Sequence, residues 1–360
     1  MKDDMNFARL ERAGILVQQA VSDRVCTAAV LLVGRHHEVI YEQAFGKTEE
    51  NGTAATVETL FDLASLTKPV TAALLMMLVE HGIVSLSRPF SDYWPEMDKT
   101  EVGRITIRQL ATHTSGLPSW LPLYQKANCL TGAIDIIANE PLEREPGSGY
   151  NYSDLGYILL GALIQQLTGE SLDRLVKQKM GEPLDWKYTG YHPAIVNLIA
   201  ATGNCNARPD EKLRGIVHDA NCWALGGVTG HAGLFGTARE MAALAFSLLP
   251  SSEQPTPFGQ RLNLLSPAAA KICRESQIPA SIGGHSIGWF TADNDMLPAG
   301  DLMSRSAFGH TGFTGTMIVA DPGRELVLVL LTNRVYYPGD NHAVSLLRRH
   351  VANVVSSACR

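Results

Sequence analysis

The chain has 360 residues, 45% hydrophobic and 18% charged, with a formal net charge of −6. That length and apolar share allow a substantial core, in one large domain or two smaller ones, and exclude a disordered chain. With no Lys/Arg block, the acidic balance argues against nucleic acid or an anionic membrane as the main partner and points to a small ligand.

The first stretch, MKDDMNFARLERAGILVQQAV, has acids at Asp3 and Asp4 and mixes charged with apolar residues. It reads as an amphipathic helix, because a signal peptide needs a basic start and a continuous apolar core. No stretch approaches the roughly 18 continuous apolar residues of a membrane span. A cytoplasmic protein is the default expectation, or a periplasmic one if a leader was removed. Next, CTAAVLLVGRHHEVIYEQAFG gives two β-rich runs around a polar turn at Arg35 to His37, a predicted hairpin. From Leu60 to about Arg274 the pattern turns to helices and loops, as in TAALLMMLVEHG, LGYILLGALIQQLTG and AREMAALAFSLL. Strands return in SIGWFTA, GTMIVADP and ELVLVLLTN, before a closing helix near His342 to Val355. Strands at both ends predict an α+β fold: one antiparallel sheet built from both termini, with flanking helices and an inserted helical region. The expected division is discontinuous, with residues 1–59 and 275–360 forming the sheet domain and 60–274 the mainly helical one. Cys26, Cys129, Cys205, Cys222, Cys273 and Cys359 are scattered, without Cys-x-x-Cys or zinc-ribbon spacing, and read as reduced thiols.

Three short stretches carry candidate chemistry. In FDLASLTKPV, Ser65 and Lys68 stand three apart at a helix mouth, with Asp62 or Ser65 as a candidate cap and Pro69 in the first turn. Residues so spaced share a helix face, so the amine would touch the hydroxyl as in an activated nucleophile. Ser-x-x-Lys also arises about once by chance in a chain of this length. In EREPGSGYNYSDLGYILLG, a Pro-Gly loop runs into a helix with Tyr152 and Asp154 at its entry, although Ser153 or Asp154 could simply cap that helix. In FGHTGFTGTMIVADP, His310, Thr311 and Gly312 fall on a strand edge where glycine marks a turn or a close approach. Elsewhere, His218, Asp219 and His231 could in principle bind zinc, shape the pocket, or serve only as hydrogen-bonding groups. Arg334 could serve the substrate or cap the sheet edge.

Taken in order, Ser65-Leu66-Thr67-Lys68, Tyr152-Ser153-Asp154 and His310-Thr311-Gly312 resemble the three-motif set of the class C β-lactamase and penicillin-binding-protein-like serine hydrolases. LATHTSGLP at 110–118, GGVTGHAGLFGTARE at 226–240 and GHTGFTGT at 309–316 are similar to that group too, and the resemblance runs from about residue 25 to 345. It implies a sheet domain and a helical domain with the active site between them; from the residues themselves, no cofactor and no metal are expected. It also implies Ser65 as nucleophile, Lys68 and Tyr152 sharing its proton, and the N–H groups of Ser65 and Phe313 as the oxyanion hole. Asp154, His310, Thr311, Gly312 and Asn341 would bind substrate. Asn341 falls where class C enzymes place an Asn near the substrate carboxylate, but beside Asp340 it could equally cap the last helix.

Two departures from the family pattern bear on mechanism. Asp154 stands where many lactamases have Asn. A carboxylate about 4 Å from Lys68 favours the ammonium by roughly 4 kcal/mol, about three pKa units. Lys68 is therefore expected to stay protonated and to lower the pKa of Tyr152, which would carry more of the base role. His310 replaces the usual lysine and offers a hydrogen bond rather than a permanent charge, so weak or no lactam hydrolysis is expected. The resulting expectation is a serine hydrolase cleaving a small ester, or an amide in cell-wall-derived peptides. The alternative is a penicillin-recognition protein that stays acylated.

Overall fold

The computed structural model describes residues 5–250, 264–339 and 341–360. Asp3, Asp4 and Asp340 lie outside the described residues. Helix α1, Phe7–Ser22, starts at Asn6, whose side chain accepts the Arg9 N–H, and buries Leu10, Ala13 and Val17. The hairpin follows as β1, Ala28–Arg35, and β2, Glu38–Gly46. Its turn residues His36 and His37 have φ of 53° and 59°, the left-handed pair whose twist matches that of the flanking strands. The middle of the chain supplies β3 (Phe61–Asp62), α2 (Thr67–Glu80), α3 (Ile107–Ala111), α4 (Leu130–Ala138), α5 (Asp154–Thr168), α6 (Leu172–Val176), α7 (Ala220–Ala224), β4 (Phe235–Gly236), α8 (Ala238–Leu248) and α9 (Pro267–Arg274). The C-terminal part adds β5 (Phe290–Thr291), β6 (Phe308–Thr311), β7 (Met317–Asp321), β8 (Leu326–Thr332) and α10 (His342–Ala358).

The six-stranded sheet has the order β2-β1-β8-β7-β6-β5, antiparallel throughout. Strand period decides its two faces. Ala29, Leu31 and Val33 of β1, with Leu326, Leu328 and Leu330 of β8, pack against α1 and α10. Ala28, Val30 and Leu32, with Val327, Val329 and Leu331, join the core shared with the helical region. Covering both faces is what makes these strands continuous apolar runs rather than alternating ones.

Helix α8 lies within residues 60–274 yet packs on β1, β7 and β8, so the sheet takes its inner cover from the middle of the chain. Helix α2 is buried from Thr67 to Met76 and is apolar nearly all round, as the central helix of the helical region should be. Of the expected strand SIGWFTA, only Phe290–Thr291 is extended. Gly288 bends the chain before it with φ +87, close against Ala72 of α2, where any Cβ would stand 2.4 Å from the Ala72 methyl. The six cysteines are all free. Among the described residues, no helix is long and apolar enough to cross a membrane.

Candidate active site

Ser65 sits in a single 3-10 turn, Ala64–Leu66, that runs directly into α2. The capping expectation is corrected here. Leu66 occupies the N-cap of α2 with no side-chain cap bond, and Ser65 is left free to point elsewhere. Ala64 carries φ +48, a conformation that costs a non-glycine residue about 1–2 kcal/mol. Neighbouring segments hold this strained turn. Asp62 accepts the Ala64 N–H at 2.9 Å and the His218 N–H at 2.7 Å. Thr314 donates its hydroxyl to the Asp62 carbonyl at 2.7 Å, and Thr316 donates to the Leu63 carbonyl at 3.1 Å. Burial raises the Asp62 carboxyl to about 6 despite its two N–H donors.

One turn on, Lys68 is completely buried. Its Nζ donates to Ser65 Oγ at 2.9 Å and to the His231 carbonyl at 3.2 Å, and lies 2.7 Å from Asp154 Oδ1. Burial pulls the lysine pKa down, but Asp154 and Tyr152 together carry it above the ordinary 10.5. The expected ammonium is therefore what this environment favours. Tyr152 differs from expectation: its pKa lies above 10, not below. Burial of the phenol outweighs the pull of Lys68, Asp154 repels the phenolate, and hydrogen bonds from Ser65 and Lys68 recover only part of the loss. Asp154 is the first residue of α5. The Ser153 side chain makes no cap bond there and donates to the Pro118 carbonyl at 2.6 Å.

The 312–316 loop folds over the serine turn. Gly312 is required there, because a Cβ would stand 2.5 Å from the Leu63 carbonyl and 2.1 Å from Thr316 Oγ1. Among the described residues outside helices and strands, no backbone carbonyl accepts the Phe313 N–H. A cleft of about 960 Å³ opens at this point, lined by Ser65, Tyr152, Asp154, Thr311, Gly312, Phe313 and Asn341, together with His218, Asp219, His231, Arg334 and Arg348. Asn341 stands at the N-cap of α10 without making a side-chain cap bond. Arg334 donates to the Phe313 carbonyl at 2.7 and 3.1 Å.

His310 is the site residue that the structure moves away from the cleft. Strand alternation puts it on the side of Phe308, with no exposed surface, and leaves Thr311 toward the cleft. Its ring stacks on Phe290 at 4.5 Å and lies 6.0 Å from the Tyr152 ring, and burial with the charge of Lys68 holds it neutral. His310, expected among the substrate-binding groups, thus stands behind Tyr152 and is not among the residues lining the cleft. His113 does the same from another side, its ring 4.4 Å from Tyr152 and its Nδ1 accepting the Ser153 N–H. In the sequence His113 lies within LATHTSGLP, where no spacing or residue pattern marks it off from its neighbours.

Of the His/Asp/His set, His218 separates, its Nε2 placed 3.0 Å from the Asn204 carbonyl. Asp219 and His231 remain together at 3.0 Å. Burial would raise the Asp219 carboxyl, but His231, the Cys222 N–H and Lys68 bring it down to about 2. Among the described residues, Asp154, Asp219 and His231 are the group whose ligand atoms lie close enough for one metal ion. The Lys68 ammonium already neutralises Asp154, and His231 already bonds Asp219, so a cation there would meet charge repulsion and committed donors.

A serine beside a buried lysine, with a tyrosine against both and a glycine loop above them, defines a Ser-x-x-Lys serine hydrolase. Residues 16–353 match the β-lactamase family, and the chain belongs to that family. It is 30% identical to a protein of Escherichia coli (strain K12) named "Putative D-alanyl-D-alanine carboxypeptidase", over 94% of this chain and 85% of that one. Its fold is similar to that of EstCE1, described as a hydrolase with promiscuous acyltransferase activity, with a TM-score of 0.78 at 24% identity and 96% and 98% coverage. It is also similar to a β-lactamase/D-alanine carboxypeptidase from Pseudomonas syringae, with a TM-score of 0.74 at 19% identity, covering 95% of this chain and 98% of that one.

Proposed function

We propose that Ser65 attacks the carbonyl carbon of a small ester, or of an amide in a peptide derived from the cell wall. The tetrahedral oxyanion rests on the N–H groups of Ser65 and Phe313. Collapse expels the alcohol or amine and leaves an acyl-enzyme, which water hydrolyses. The Tyr152 phenolate takes the Ser65 proton and returns it to the leaving group, and the Lys68 ammonium stabilises that phenolate. Because the phenol is held above its ordinary value, the base form is a minority at neutral pH. The rate should therefore climb as pH rises from 7 toward 10. The observation that carries this reading is the chain Ser65 Oγ, Lys68 Nζ, Asp154 Oδ1, joined at 2.9 and 2.7 Å through a fully buried lysine at the edge of an open cleft. β-Lactam hydrolysis should be weak or absent, since the residue replacing the usual lysine is a buried, neutral His310.

The test is mass spectrometry after mixing with a p-nitrophenyl ester. A transient acyl adduct with turnover, lost in a folded Ser65→Ala variant, supports the hydrolase, and deleting the nucleophile should cost about 10³-fold or more. A stoichiometric adduct that persists would make the protein an acylated receptor, and near wild-type turnover by Ser65→Ala would remove Ser65 from the chemistry.

A further inference from the structure

Two guanidinium groups grip the backbone around the Phe313 N–H. Arg348, from the middle of α10, donates Nη2 to the Gly312 carbonyl at 2.8 Å and to the Thr316 carbonyl at 2.9 Å. Arg334 donates Nε and Nη2 to the Phe313 carbonyl, and its guanidinium lies 4.6 Å over the Phe313 ring. The Gly312 carbonyl and the Phe313 N–H are the two ends of one peptide unit. A cation bonded to that oxygen draws electron density from the nitrogen and makes its hydrogen a stronger donor.

Arg348 is also placed in a way that stability alone does not explain. It is 7% exposed, its Nε has no partner, and among the described residues no carboxylate pairs with it. Burial and the neighbouring Arg334 push its guanidinium down to about 9. A buried cation held only by carbonyl dipoles is costly to keep. Negative charge forming at the Phe313 N–H would supply a counter-charge that none of the described carboxylates provides.

We propose that Arg348 is a positioning residue of the oxyanion hole, fixing and polarising the Gly312–Phe313 peptide so that its N–H meets the transition-state oxygen. This rests on the reading of Ser65 as nucleophile, so the Ser65→Ala control is run first; activity surviving there would overturn that reading and the proposal with it, whereas the Arg348 variants overturn the proposal alone. Arg348 also reaches the cleft wall, and direct contact with a substrate carboxylate is the competing role.

The experiment compares wild type with Arg348→Gln and Arg348→Lys on an uncharged p-nitrophenyl ester, on the same ester bearing a carboxylate, and on the uncharged thionoester. Sulfur accepts N–H bonds poorly, so a thionoester draws little from the oxyanion hole. The expected result for Arg348→Gln is a fall in kcat of about 10- to 100-fold on both oxygen esters, somewhat less than deleting a donor outright, with KM nearly unchanged. On the thionoester the loss should be under about threefold. If Arg348→Gln does not fold, Arg348→Lys carries the test. It keeps the charge but loses the fork geometry, so a smaller fall with the same oxygen-over-sulfur bias is expected. Equal losses on oxygen ester and thionoester would show a merely structural role and overturn the proposal. So would unchanged kcat, or a KM rise confined to the carboxylate-bearing ester.

Discussion

Replacing Asp154 by asparagine removes the carboxylate that, among the described residues, pairs with Lys68, while keeping its shape. At 2.7 Å and an effective dielectric near 20, the attraction is about 6 kcal/mol before screening. One-fifth of the Asp154 side chain is exposed, so solvent trims that figure. Removing one partner of a buried pair costs about 3–5 kcal/mol, and an amide that still accepts a hydrogen bond puts this change near 3. The pH consequences have a definite sign. Asp154 raises the pKa of Lys68 and also that of Tyr152, so its loss lowers both. The limb on which activity appears as the base ionises and the limb on which it fades as the ammonium is lost should therefore both move to lower pH. A displacement of one to two units is expected, read as the position of a coupled pair rather than of either residue. Stability follows the same sign. The folded pKa of Lys68 lies above 10.5, so the ion pair contributes fully below that pH and is lost as pH rises beyond it. The melting-temperature gap between wild type and variant should be widest near pH 7 and narrow above about 10.5. The assay is kcat/KM against pH on a p-nitrophenyl ester, with folding followed by circular dichroism. Superimposable profiles, with only a modest and pH-independent loss of stability, would reduce Asp154 to a helix-terminal residue and refute the reasoning.

Two further outcomes follow from the loop over the serine. On nitrocefin and a short-chain p-nitrophenyl ester, kcat/KM should be well above tenfold higher for the ester, and a tenfold preference for nitrocefin would show that a neutral, buried His310 does not limit lactam hydrolysis. Gly312→Ala would force a methyl to 2.5 Å from the Leu63 carbonyl, so either the serine turn or the Phe313 N–H must move. A stability loss of about 1–3 kcal/mol by thermal melting and a fall in kcat of about 100-fold are expected. Wild-type kcat would show that this contact is not needed for alignment.

The parts of the site that the sequence revealed are those fixed by helical spacing. Ser65 and Lys68 meet because three residues make one turn, and the Asp154 carboxylate expected about 4 Å from the amine stands at 2.7 Å. The cap was misread because nothing in an alanine announces φ +48; a glycine or asparagine at 64 would have done so. Tyr152 was misjudged because its pKa depends on how deeply the phenol is packed among His113, Phe290 and His310, three residues far apart in the chain. Arg348 hid beside Arg349 in what reads as a solvated pair. Yet it lies at the i+4 position from Val344, with Val351 and Val355 on the same stripe, and that periodicity does place it on the buried face.

The pairing of Ala29 with Thr332 has a consequence for how the protein is made. Strand β1 waits for its second sheet neighbour, β8, until roughly 300 residues later, which at about 5–20 residues per second is 15–60 seconds of synthesis. Throughout that interval the first hairpin carries an unclaimed apolar edge, the kind of surface that chaperones bind and that aggregates seed from. The Arg348 grip on the Gly312 carbonyl is later still, since Arg348 is made 16 residues after Thr332. A ribosome-bound chain would thus hold its Ser65 and Lys68 for roughly 14–56 seconds before Arg348 could secure the 312–316 loop above them.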